Sequence, residues 1–96
     1  MLAGLKPRRS RLDLYLEVLN VIKNGTEKPT RIMYGANLSW TSLKGILSSL
    51  EAQDLVEMID VSESRDRRSA RIYRITEKGE HLMRYFHHAE QLLDLD

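Results

Sequence analysis

The spacing of the apolar residues constrains the fold of this chain most, because it changes from helical to strand-like and back to helical along the sequence. Residues at helical spacing (three and four positions apart) fill the first half, and segments rich in β-branched residues follow before the helical spacing returns. We predict a mainly α fold with one β-hairpin, with helices at 10–24, 30–36, 40–52 and 77–94 and strands at 55–61 and 71–76. A chain of 96 residues corresponds to one domain.

Capping residues mark the ends of these helices. Ser10 followed by Asp13 is typical of a helix start, with the acid in place of the usual Glu of a capping box. The dipeptide Asn24-Gly25 favours a helix end. Ser39 and Thr76 predict the N-caps of the third and fourth helices.

The third predicted helix has two different sides. An apolar stripe predicts its buried face and consists of Trp40, Leu43, Leu47 and Leu50. The opposite side is small and polar and consists of Thr41, Lys44, Gly45 and Ser48. We interpret Trp40 as a packing residue rather than a base-stacking one, and Tyr15, Tyr34 and Tyr73 in the same way.

Charge is distributed in blocks. The chain has 15 Lys and Arg against 14 Asp and Glu, but residues 1–49 hold eight of the bases and only three of the acids. Residues 50–61 hold four acids and no base, and residues 62–76 hold five arginines and two acids. A fold that brings the basic blocks to one face would offer a surface for nucleic acid.

Several functional classes are disfavoured by composition. The sequence has no cysteine, no apolar run long enough to span a membrane, and an N-terminus unlike a signal peptide, so we expect a cytoplasmic protein. No phosphate-binding glycine loop, HExxH motif or nucleophile–base set is present, so we predict neither an enzyme nor a cofactor. His81, His87 and His88 lack the i, i+4 spacing of a helical metal site, and we predict no metal.

The segment KPTRIMYGANLSWTSLKGILSSLEAQDLV, followed by YRITEKG, resembles the small archaeal winged-helix DNA-binding proteins. These include chromatin-associated dimers whose C-terminal helices pair as an antiparallel coiled coil. The resemblance runs from about Leu12 to Leu93 and implies a winged helix-turn-helix at 10–76. Residues 1–9 lack helical spacing and contain Gly4 and Pro7 beside three cations, which predicts a flexible basic arm. The resemblance also implies a dimerisation helix at 77–96, a duplex DNA partner and a nucleoid-associated location.

The candidate DNA contacts lie on the second helix, the third helix and the wing, which is the hairpin with its connecting loop. A helix in the major groove needs short side chains and hydrogen-bond donors, and arginines suit phosphate or a narrow minor groove. We assign this role to Lys28, Arg31, Ser39, Thr41, Ser42, Lys44, Ser48, Arg65, Arg67, Arg68 and Arg71. Arg8 and Arg9 form either a minor-groove arm or a disordered tail.

Two interpretations stay open for the third helix. The polar side of the third helix is either a DNA-reading face or a solvated helix surface. Gly45, where the family usually has a larger residue, either permits close approach to DNA or only weakens the helix.

The last helix carries a broad apolar face. We predict a homodimer interface made by Leu82, Tyr85, Phe86, Ala89, Leu92 and Leu93. The alternative is that this face only closes the core of one chain. The predicted function is duplex DNA binding as a transcriptional regulator or chromatin-organising protein, and the alternative is a protein–protein interaction module of the same fold.

Overall fold

The computed structural model describes residues 10–62 and 69–93 and contains four helices and one hairpin within them. The helices are α1 (Arg11–Lys23), α2 (Pro29–Ala36), α3 (Trp40–Ala52) and α4 (Glu77–Leu92), and the strands are β1 (Val56–Ser62) and β2 (Ser69–Ile75). The predicted fold class is confirmed. The basic arm at 1–9 lies outside the described residues.

The helix ends follow the capping residues. The Ser10 hydroxyl accepts a hydrogen bond from the backbone N–H of Asp13 at 3.0 Å, and the Asp13 carboxylate accepts one from the N–H of Ser10 at 3.1 Å. The predicted capping box is therefore confirmed. Asn37 ends α2 in the left-handed conformation (φ 54°) and turns the chain into the Ser39 cap of α3 within three residues.

The hairpin is antiparallel, with Val56 opposite Ile75 at its base and Ser62 opposite Ser69 at its far end. Its base is fixed to the connection between α1 and α2. The backbone N–H of Tyr73 donates to the carbonyl oxygen of Glu27 at 2.9 Å, and Arg74 Nε lies 2.7 Å from the Glu27 carboxylate. These two bonds set the direction in which the wing leaves the helices.

The core lies between α1, α2, α3 and the base of the hairpin. Among the described residues, eleven apolar side chains are buried there: Val18, Leu19, Ile22, Ile32, Ala36, Leu43, Ile46, Leu47, Leu50, Leu55 and Val56. Leu82 and Met83 of α4 pack against the outside of this cluster. Full burial of a large aliphatic side chain contributes about 1.5–3 kcal/mol, and α1 and α3 supply seven of these side chains.

Two aromatic predictions are wrong. Trp40 is 49% exposed and Tyr34 is 75% exposed, whereas Tyr15 and Tyr73 do pack against the core. In α3, the buried stripe is Leu43, Ile46, Leu47 and Leu50. This stripe is complete at i, i+3, i+4 and i+7, so Trp40 lies one turn before it, at the edge of the core.

Candidate nucleic-acid interface

The start of α2 carries two cations at the protein surface. Lys28 is the N-cap of α2 but makes no side-chain capping bond, and its side chain and that of Arg31 are exposed. Pro29 follows as the first helical residue, where its missing N–H costs nothing. Both predicted cations of α2 are therefore available to a ligand at this surface.

The predicted polar side of α3 is exposed throughout. Thr41, Ser42, Lys44 and Ser48 all lie at the surface. The Ser39 hydroxyl already accepts a bond from the N–H of Ser42 at 3.2 Å and donates one to the Ser42 hydroxyl at 3.0 Å. Thr41, Lys44 and Ser48 thus form the outward row of α3, while Ser39 and Ser42 serve its N-terminal cap.

A groove runs between α3 and β2. Its α3 wall consists of Trp40, Lys44 and Ser48, and its β2 wall consists of Arg71 and Tyr73. The groove is closed at the bottom by Leu47 and bounded by Pro29 and Glu51. The structure therefore brings three of the predicted residues, Lys44, Ser48 and Arg71, to one concave surface.

Burial and the charges in this groove shift the pKa of Tyr73. Burial raises the pKa of the Tyr73 phenol above its usual value of 10.0, the negative charge of Glu51 raises this pKa further, and the positive charge of Arg71 lowers it. Glu51 and Arg71 line the groove together with Tyr73, so charges of opposite sign lie near the same phenol. Tyr73 keeps its proton at neutral pH and can donate a hydrogen bond there.

The two described arginines of β2 have different roles. Arg71 and Tyr73 are two residues apart and lie on the same face of the strand, towards α3. Arg74 lies on the other face, where it is paired with Glu27. Arg65, Arg67 and Arg68 belong to residues 63–68, outside the described residues, and their contacts stay predictions.

A second groove borders α3 on the side of α1. It is lined by Arg11, Tyr15, Thr41 and Gly45, among others. Apart from the adjacent backbone of α3 itself, no atom of the described residues lies within 4 Å of a Cβ placed on Gly45, so their packing does not require glycine at that position. Arg11 was not among the predicted contacts, because only the packing of α1 across α3 places it beside Thr41.

The apolar residues of α4 are divided between two environments. Leu82 packs against the core, and Phe86 and Ala89 are half-buried. Tyr85, Leu92 and Leu93 are exposed, at 69%, 73% and 62%. The predicted dimer face is therefore partly used within one chain, and its C-terminal part is uncovered.

Three packed helices, a short turn between the second and third, and an antiparallel hairpin beside the third define the winged helix-turn-helix class of proteins. The chain belongs to the winged helix-turn-helix family, whose model matches residues 8–94.

An uncharacterized protein of the archaeon Methanocaldococcus jannaschii is 29% identical over 76 residues, which are 79% of this chain and 31% of that protein. The chain thus spans about a third of the length of this relative.

Two solved structures share the fold. A PadR family transcription regulator of Clostridium difficile is 11% identical, with a TM-score of 0.74 over 82% of this chain and 88% of that one. Streptococcus pneumoniae FabT, solved in complex with DNA, is 19% identical, with a TM-score of 0.67 over 88% of this chain and 61% of that one.

Across 10–62 and 69–93, no three His, Cys, Asp or Glu side chains are grouped as a metal site requires. None of the helices in that part of the chain has the length and apolar character needed to cross a membrane.

Proposed function

We propose that this protein binds double-stranded DNA as a homodimeric transcriptional regulator or chromatin-organising protein. In this proposal α3 enters the major groove, Lys28 and Arg31 contact phosphates beside it, and the wing reaches the backbone or the adjacent minor groove. The observation that carries the proposal is the convergence of Lys44, Ser48 and Arg71 on one concave surface next to the exposed side of α3. The DNA-bound state of FabT supports it by analogy of fold.

The arginines of residues 63–68 extend the same proposal. They are joined directly to β2, whose Arg71 faces α3, and arginine suits bidentate contact with phosphate. We assign Arg65, Arg67 and Arg68 to contact with the backbone or the minor groove. A duplex DNA partner would place the protein at the nucleoid, in the cytoplasm.

Dimerisation through α4 is the second part of the proposal. Tyr85, Leu92 and Leu93 form an uncovered apolar end of this helix, beside half-buried Phe86 and Ala89. A second copy of α4 packed antiparallel on this face would bury these side chains. Such a pair would present two copies of α3 on the same side of the dimer, as two half-sites of a palindrome require.

Salt dependence tests the DNA proposal. The logarithm of the binding constant should fall with the logarithm of salt concentration by about 0.9 for each phosphate that the protein neutralises. Lys44→Ala and Arg71→Ala should each reduce this slope by about 0.9. Arg84→Ala removes the same charge from an exposed position on α4 and should leave the slope unchanged. Equal slopes for the parent protein and all three variants would contradict the assigned DNA-binding surface.

Selection of bound fragments from random duplexes separates the two proposed roles. Serine and threonine are short, and Lys44 is the one long donor on the outward row of α3, which favours modest base readout. An enriched palindrome would indicate a sequence-specific regulator. Binding without enrichment would indicate a chromatin-organising protein.

A further inference from the structure

Trp40 is the feature that the proposed function leaves unexplained. It is the first residue of α3, and about half of its surface is exposed although the core stripe of the helix begins only one turn later. An indole is the largest apolar side chain, and leaving it half in solvent forgoes much of the stabilisation that burial would give. Tryptophan is enriched at interfaces, because its ring combines a large apolar body with one polar N–H group.

The groove residues combine two kinds of chemistry. Trp40, Lys44 and Ser48 recur every four residues and form one row along α3, and Arg71 and Tyr73 face them from β2. Trp40 adds a large apolar ring to the α3 wall, and each wall carries a cation, Lys44 on α3 and Arg71 on β2. A ligand that fits would place an anionic group next to an apolar one.

One strand of a DNA duplex has this arrangement. Each nucleotide carries a phosphate, which the cations of Lys44 and Arg71 would bind, and a deoxyribose, whose carbon face would pack on an indole. A wing placed in the minor groove would also put a strand there. One sugar–phosphate backbone separates the major groove from the adjacent minor groove, so a protein with α3 in one and the wing in the other must hold that backbone between them.

We propose that the groove between α3 and β2 seats one sugar–phosphate strand of the duplex, with the Trp40 ring packed against a deoxyribose and Lys44 and Arg71 on the flanking phosphates. This inference rests on the proposed DNA binding and adds a residue that positions the duplex through apolar contact. Glu51 also lines the groove, and its carboxylate would repel a further phosphate. The bound strand would therefore end its contact with the groove at Glu51.

The single tryptophan of the chain makes the test direct. Duplex is added at low salt, binding is followed by the anisotropy of a labelled duplex, and the emission and acrylamide quenching of Trp40 are followed in parallel. We expect the emission to change and the quenching constant to fall with the same midpoint as the anisotropy. A saturating anisotropy change with unaltered emission and quenching would overturn this inference and leave DNA binding standing. Absence of any anisotropy change would contradict both the proposed DNA binding and this inference.

Substitution provides the second measurement. Trp40→Ala should weaken duplex binding about tenfold, which corresponds to about 1.4 kcal/mol, while Trp40→Phe should recover most of the loss. Tyr34→Ala removes an exposed aromatic of α2 outside the groove and should leave affinity unchanged. Circular dichroism of each variant verifies the fold. A Trp40→Ala protein that is folded and binds as tightly as the parent would contradict the proposal.

Discussion

Two glycines on helices differ in the space available for a side chain. Gly45 of α3 faces open space, whereas a Cβ on Gly79 of α4 would meet the carbonyl oxygen of Leu55 and lie 2.7 Å from Ile75 Cγ1. The first position tolerates a methyl group. The second depends on glycine because a helix and the base of the hairpin approach each other closely there.

Gly45→Ala should raise the free energy of unfolding by about 1 kcal/mol, because alanine favours a helix more than glycine and nothing opposes its methyl group. Urea unfolding followed by circular dichroism measures the change. Gly79→Ala is the matched control and should destabilise the protein. A loss of stability in Gly45→Ala would contradict the open surface at this position. If the stabilised variant binds duplex less well, α3 approaches DNA closely at Gly45.

At the scale of elements, Thr76 joins the end of the hairpin to α4. Its hydroxyl accepts a bond from the N–H of Gly79 at 3.0 Å and donates one to the carbonyl oxygen of Asp54 at 2.6 Å. Lys78 Nζ adds a bond to the carbonyl oxygen of Gln53 at 2.8 Å. The first turn of α4 is therefore fixed to the turn that ends α3.

Thr76→Ala should lower the free energy of unfolding by about 1–2 kcal/mol, since it removes both the N-cap and the bond to Asp54. Thr76→Ser keeps the hydroxyl and should recover most of that stability. Thermal unfolding of the three proteins checks the order. An alanine variant as stable as the serine variant would show that the hydroxyl is not what fixes α4.

The elements themselves were predictable because their signals are local. Ser10, Ser39 and Thr76 cap helices through bonds to residues three positions away, and these bonds form in the structure as predicted. β2 was predicted from Arg71 but begins at Ser69. Pairing with β1 extends the strand into polar residues, which apolar periodicity does not detect.

The environment of a side chain was harder to predict than its element. Trp40 continues the apolar spacing of α3, but Ile46 already completes the buried stripe, so the indole lies at the edge. Arg71 and Arg74 look alike in sequence, and only the tertiary bond between Arg74 and Glu27 separates a structural arginine from one that faces the groove.

At the scale of the whole molecule, the exposed apolar residues of α4 predict that two copies of the chain form a dimer. Tyr85→Asp and Leu92→Asp should yield protein with the mass of one chain in sedimentation or light scattering, because each places a charge in the proposed contact. Leu82→Asp is a poor test, since Leu82 packs against the core and a charge there would unfold the chain. Retention of the parent mass in the folded Tyr85 and Leu92 variants would contradict the interface.

Amide chemical shifts measured by NMR during titration with a short duplex locate the surface that contacts DNA. We expect the largest shifts on the first turn of α2, on residues 40–48 and on β2, with little change along the exposed side of α4. Saturable shifts concentrated instead in the groove between α1 and α4, near Leu16 and Phe86, would contradict the proposed DNA-binding surface.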